Sequence, residues 1–318
     1  MTLRLAPLAL IAALPFAALP AAAQSATEPA ECRQVTFSDV GWSDITATTA
    51  IATTVLEALG YQTDVQFLSL PVTFSALSTD DLDVFLGLWM PTMEADIAPY
   101  RDAGTIDVLP QPNLTGAKYT LATNKAGADL GITDFASIAA HADALDGRIY
   151  GIEPGNDGNR LLLDMVARDL FGLGTFEIIE SSEQGMLAQV SRAERAGDPI
   201  VFLGWEPHPM NAEYEMTYLP GGDEVFGPNL GGAEVYTVTR AGYVAECANV
   251  GRLIQNLEFT LPMENEIMAA ILNDNAEPAD SAREWLQANP DAATAWLDGV
   301  TAIDGGDAQA ALTAALAE

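Results

Sequence analysis

Two near-twin stretches constrain this chain more than any other feature: VFLGLWMP over 84–91 and VFLGWEPHPM over 201–210. Each reads as a short apolar strand, then a glycine, a tryptophan and a proline that ends the element. The β-branched and aromatic start suits a buried strand. The glycine allows a tight exit or a close approach by another group. The tryptophan then stands just past the strand's carboxyl end, where open α/β sheets bind ligands. Two such ends can form two walls of one cleft, or each tryptophan can plug a core of its own.

The order of elements favours the cleft. Residues 35–37, 65–68 and 82–86 read as strands, with a helix over 45–59 and a helical turn over 74–77 between them. That is the β-α-β-α-β order of a parallel sheet with helical crossovers. Ser43 or Asp44 is placed to cap the first helix, and Gly60 to close it. Residues 106–109 and 119–123 read as strands flanking a loop with Pro and Gly. A second unit follows: helix 135–145, strand 148–152, a loop into helix 159–170, strand 176–180, helix 183–196 capped by Ser181 or Ser182, and strand 200–203. Strands 216–219 and 233–239 carry the chain back, and the remainder is helical (250–257, 264–273, 282–288, 292–297). Trp285 and Trp296 read there as packing residues. The organisation expected is therefore a signal peptide over 1–23, lobe 1 over 24–118, lobe 2 over 119–212, and a return to lobe 1 with C-terminal helices over 213–318. Two crossings between lobes make a hinge, and the cleft between them can close on a small molecule.

The first residues fit this picture. Arg4 precedes an apolar run broken by Pro7, Pro15 and Pro20, and Ala21-Ala22-Ala23 fits a cleavage site. No later run reads as a membrane span, so a soluble exported protein is expected. In an oxidising compartment Cys32 and Cys247 would most simply form one disulfide, bringing the return segment back to the first lobe. The net charge of −32 disfavours nucleic acid and anionic membranes as partners. It is compatible with a cationic ligand, and equally with a salty habitat, where ionic strength screens self-repulsion.

Trp42 and Asp44 fall after the first strand of lobe 1, Trp89 after its third, Tyr119 at the crossing, Asn156 after the first strand of lobe 2, and Trp205 after its last. Three indoles and a phenol make a cage of negative ring faces. A quaternary ammonium, which has no N–H to donate, is held by such faces. Asp44 supplies a counter-charge, or serves only as a helix cap. Asn156 suits a ligand hydroxyl, or is an ordinary turn residue before a helix. Met90, Met93 and Met210 stand near the tryptophans and can floor the pocket.

The stretches FSDVGWSDITATTA, VFLGLWMPTMEADIAPY, KYTLATN, IYGIEPGNDGNR, SSEQGMLAQV and VFLGWEPHP resemble the periplasmic choline-binding proteins of bacterial ABC transporters, within the glycine betaine and proline betaine binding family. The resemblance runs over nearly the whole mature chain. It implies an α/β type II periplasmic binding protein with two lobes and a cleft, an aromatic box at Trp42, Trp89, Tyr119 and Trp205, a carboxylate for the cation at Asp44, a hydroxyl partner at Asn156, and a disulfide between Cys32 and Cys247. It implies choline as ligand, a membrane permease as partner and no cofactor. A monomer is expected. Glycine betaine, trimethylamine oxide and dimethylsulfoniopropionate remain alternatives as methylated onium compounds, although Asp44 should repel a betaine carboxylate.

An exported hydrolase using His208 and Glu206 is the rival reading. It lacks a zinc-ligand spacing and a GxSxG nucleophile motif. His208 reads rather as a residue at the lobe rim, and His141 as solvated. An adhesive or structural protein would show repeats, which the chain lacks. No enzyme activity is expected.

Overall fold

The computed structural model describes residues 28–317, so the expected signal peptide lies outside the described residues. Nine strands form one sheet: β1 (Gln34–Asp39), β2 (Gln62–Phe67), β3 (Val84–Met90), β4 (Ile106–Asn124), β5 (Arg148–Tyr150), β6 (Glu177–Ile179), β7 (Val201–Glu206), β8 (Met216–Tyr218) and β9 (Gly232–Arg240). Their order is β2-β1-β3-β9-β4-β7-β5-β6, with β8 beside β4. The two ends are parallel, β2-β1-β3 and β7-β5-β6. They are joined by antiparallel pairs through β9 and β4.

Strand β4 departs from the sequence reading. Two strands around a loop were expected, and one strand spans 106–124. Its pairing with β9 shifts register three times between Val108 and Ala117, so the proline and glycine positions fall in irregularities and not in a turn. At Lys118 the register partners are Gly232 of β9 and Glu206 of β7, so β4 itself carries the crossing.

The twin motifs form β3 and β7, and both strands run through their tryptophans instead of stopping short of them. Each ends in a cis Xaa-Pro bond. Their glycines serve close approach. A Cβ on Gly87 would lie 2.7 Å from Ile45 Cδ1, and one on Gly204 would lie 2.9 Å from Met216 Cε. Helix α1 (Ser43–Ala58) can therefore rest directly on β3.

Helix α1 is buried along most of its length because the helices Leu261–Asn273 and Pro278–Ala288 cover it. Its Ala, Thr and Ile composition suits that: small and β-branched side chains allow close helix approach, and the Thr48 and Thr53 hydroxyls bond back to Asp44 O and Thr49 O. Trp296 is buried against Phe259, with its Nε1 donating to Glu258 O, and Trp285 is half-buried, donating to Glu266. Both are packing residues, as expected. The Cys32–Cys247 disulfide forms across 215 residues, with the Cα atoms 5.4 Å apart.

Two helical expectations are corrected. Residues 135–145 contain only the short helix Phe135–Ile138 and a turn of 3-10 helix, Ala139–His141. Residues 292–297 hold only the turn Ala292–Thr294. A further helix, Ala308–Leu316, forms in a tail that sequence reasoning left unassigned.

Candidate functional site

One cavity gathers all six expected site residues. Trp42, Asp44, Trp89, Met93, Tyr119, Ile152, Asn156, Asp157 and Trp205 line about 280 Å³ of atom-free space, its mouth included.

Strand register sets the aromatic walls. Tyr119 of β4 lies directly opposite Trp205 of β7, with ring centroids 6.3 Å apart and planes at 80°. Trp89, near the end of β3, meets Tyr119 at 6.0 Å and 61°. These edge-to-face contacts leave ring faces for the cavity. Trp42 immediately precedes α1 and closes the remaining side. Its Nε1 donates to Glu153 Oε1 at 2.8 Å, across to the loop before the helix Asp157–Ala167.

Asp44 is not the helix cap. Helix α1 begins at Ser43 with Trp42 at the N-cap, and the Trp42 side chain makes no capping bond. The Asp44 carboxylate instead accepts from Trp89 Nε1 at 3.1 Å and is 2 % exposed. Burial pushes its pKa up to about 7, the nearby Glu183 adds to the rise, and the Ile45 backbone N–H and the Trp89 bond oppose it. This is a carboxylate short of positive charge.

Asn156 caps its helix: its Oδ1 accepts from Asn159 N at 3.1 Å and from Tyr119 Oη at 3.0 Å. Its Nδ2 donates one hydrogen to Asp157 Oδ1 at 3.1 Å. An amide carries two N–H donors, so one remains for the cavity. The helix cap is therefore also one of the side chains lining the cavity. The Tyr119 hydroxyl rests against Gly158, where a Cβ would come within 2.0 Å of it. No larger residue fits there without moving the phenol.

Sequence reasoning missed Ile152 and Asp157. Asp157 is 1 % exposed, and its Oδ2 has no hydrogen-bond partner. Burial pushes its pKa up to about 6; the Thr92 hydroxyl and Arg160 ease the rise, and Asp96 adds to it. Nothing in EPGNDGN distinguishes this Asp from an ordinary first-turn acid. Of the three methionines, Met93 lines the cavity and Met90 and Met210 do not.

The histidine expectations change. His208 is 2 % exposed and not at the rim, with Nε2 3.2 Å from Glu183 Oε1. Glu206 pairs with Lys118, so the two residues of the hydrolase reading face different partners. His141 is half-buried. Among the described residues the one candidate metal cluster is Glu246 with the two bridged cysteines.

The family described as the substrate binding domain of ABC-type glycine betaine transport systems matches residues 33–288, well over half of the sequence. The chain belongs to this family. The family is one of transport binding proteins and not of enzymes. An ABC-transporter choline binding protein solved in complex with choline is 65% identical, with a TM-score of 0.90 over 91% of this chain and 100% of that one. A choline binding protein in an unliganded semi-closed conformation has the same identity and coverage and a TM-score of 0.84. The glycine betaine/carnitine transport binding protein GbuC of Listeria monocytogenes is 28% identical over 130 residues, 41% of this chain and 42% of that protein. The fold is that of the two-lobed type II periplasmic binding proteins, as the family resemblance implied. Among the described residues no helix is long and apolar enough to cross a membrane.

Proposed function

We propose that this binding protein captures choline in the aromatic cavity and hands it to the membrane permease of an ABC importer, working in the periplasm and making or breaking no bond. The observation that carries the reading is a buried carboxylate, Asp44, ringed by Trp42, Trp89, Tyr119 and Trp205. Each ring face contributes about 0.5–2 kcal/mol to a desolvated onium cation. The choline complex of a 65% identical protein supports the same ligand.

In this reading lobe 1 comprises residues 24–118 and 213–318 and lobe 2 residues 119–212, and the lobes close about β4 and β9. Trp42, Asp44 and Trp89 belong to the first lobe, and Asn156, Asp157 and Trp205 to the second. Tyr119 stands at the crossing. At the far end of the cavity, the spare N–H of Asn156 and the unpartnered Oδ2 of Asp157 give a ligand hydroxyl one donor and one acceptor. A carboxylate in that place would meet Asp157, and near the rings it would meet Asp44. That disfavours glycine betaine on both counts.

Calorimetric titration tests the reading. Choline should bind at least roughly 100-fold more tightly than glycine betaine, the cost of setting a carboxylate against buried like charge being about 2.7 kcal/mol or more. Equal affinity for the two would contradict it.

A further inference from the structure

We propose that Glu183 is the positioning residue that latches the cleft shut, by capping α1 from the opposite lobe and fixing Trp205 through His208. The proposal rests on the choline-binding reading above.

Helix α1 has no cap of its own, although the first N–H groups of any helix need acceptors. Ser43 Oγ turns to Met268 Sδ at 3.4 Å, and the Asp44 carboxylate turns to Trp89. The Ser43 N–H instead donates to Glu183 Oε2 at 3.0 Å. Glu183 is the first residue of the helix Glu183–Ala196, on the other side of the cavity. A carboxylate at the positive end of α1 is also electrostatically favourable.

The other oxygen, Oε1, faces His208 Nε2 at 3.2 Å. Met210 N–H donates to His208 Nδ1 at 3.0 Å, so Nδ1 is an acceptor and the ring proton sits on Nε2. Nε2–H therefore donates to Glu183. The same imidazole packs edge-to-face on Trp205, 5.0 Å between centroids. Two hydrogen bonds and a ring contact thus run from the start of α1, where Ser43 lies between Trp42 and Asp44, to the ring that forms the opposite wall. Ser43, Glu183 and His208 are 4 %, 1 % and 2 % exposed. The ion pair of Arg160 with Asp96, also across the cleft, is partly exposed and more readily screened.

The residue type matters. Glu183 accepts from two donors at once, one in each lobe. In the open form it keeps His208 and loses Ser43, so the lobe 2 partner holds the carboxylate aimed for closure. A glutamine has one acceptor oxygen, and its NH2 would face a donor.

Two variants test the latch in the full mature chain with choline as probe. Glu183→Gln removes one acceptor. Ser43→Pro removes the donor and fills its place, while keeping α1: proline suits the first helical position, and Trp42 already has the extended φ −91°, ψ 135° that a residue before proline requires. Each variant should dissociate choline roughly tenfold faster, as expected for loss of a cap. Association rate and ligand-free melting temperature should stay near those of the parent. Small-angle scattering at saturating choline should show a larger open fraction. Unchanged dissociation in both variants overturns the latch, and so does a fall in ligand-free melting temperature without faster dissociation. The parent titration tests the reading beneath it. Failure of the parent to bind or close sinks the choline assignment and the latch with it, whereas parent closure with unaltered variants sinks the latch alone.

Discussion

At the scale of single residues, Asp44 serves two opposing demands. It is buried, and burial pushes its pKa up to about 7. Asp44→Asn should weaken choline about 100-fold, since a buried charge partner is worth about 2–5 kcal/mol. The same change should raise the ligand-free melting temperature above pH 7, because the buried ionised form is gone. Titration and thermal melts of one variant read both signs. Gly158→Ala should weaken choline by about tenfold or more, by driving a methyl into the Tyr119 hydroxyl and turning the phenol from the cavity. Titration checks it, and a melt of the ligand-free variant separates loss of the site from loss of the fold. Trp89 and Trp205 were legible from sequence because their two motifs repeat, and Trp42, Asp44 and Asn156 from their places after strands at helix starts, to which the family resemblance added the ligand roles. Asp157 and Glu183 were not, because a buried acid in a helix's first turn looks like any other helix-start acid until the opposing element is placed, and Glu153 was not, because it lies in a loop and its partner Trp42 is 111 residues away in sequence. His208 was misread for the same reason: its partner is 25 residues away in sequence.

Among the elements, the outer parallel units were readable because their apolar runs are short and bounded by turn residues. Strand β4 was not, because its prolines and Gly116 look like loop residues and only the partner β9 shows them absorbed as register shifts. The cap of α1 was misassigned because Ser and Asp at a helix start satisfy the local rule, while the tertiary partners Met268, Trp89 and Glu183 take precedence. The disulfide links the turn before β1 to the start of the helix Ala248–Asn256 and closes a long loop. Replacing Cys32 and Cys247 with serine should destabilise the protein by about 2–5 kcal/mol to denaturant, with little effect on choline affinity when folded. Comparison of denaturation midpoints with titration checks both halves.

Across the whole molecule, acids converge on the cleft. Burial pushes Asp44 and Glu153 up to about 7 and Asp157 up to about 6, and holds Glu264, beside Asp44, well above the carboxylate range. For each, the folded pKa lies above the unfolded one. The favourable contribution of Asp44, Glu153 and Asp157 is full below about pH 4 and lost as pH rises through about 6 to 7. A bound cation favours the ionised forms and opposes that loss. The rise in melting temperature caused by choline should therefore grow from pH 5 to pH 8, and binding near pH 6.5 should release protons. Calorimetry in buffers of different ionisation enthalpy counts them. A shift that shrank with pH would contradict the linkage. The net charge of −32 adds a salt-dependent background that those measurements must hold fixed.

A crystal structure of the mature chain grown with choline tests the central claim most directly. The account predicts the quaternary nitrogen within about 6 Å of the ring centroids of Trp42, Trp89, Tyr119 and Trp205, with the hydroxyl directed at Asn156 and Asp157. A nitrogen bound elsewhere, or this cavity filled by the Trp205 indole with choline outside it, would contradict the account.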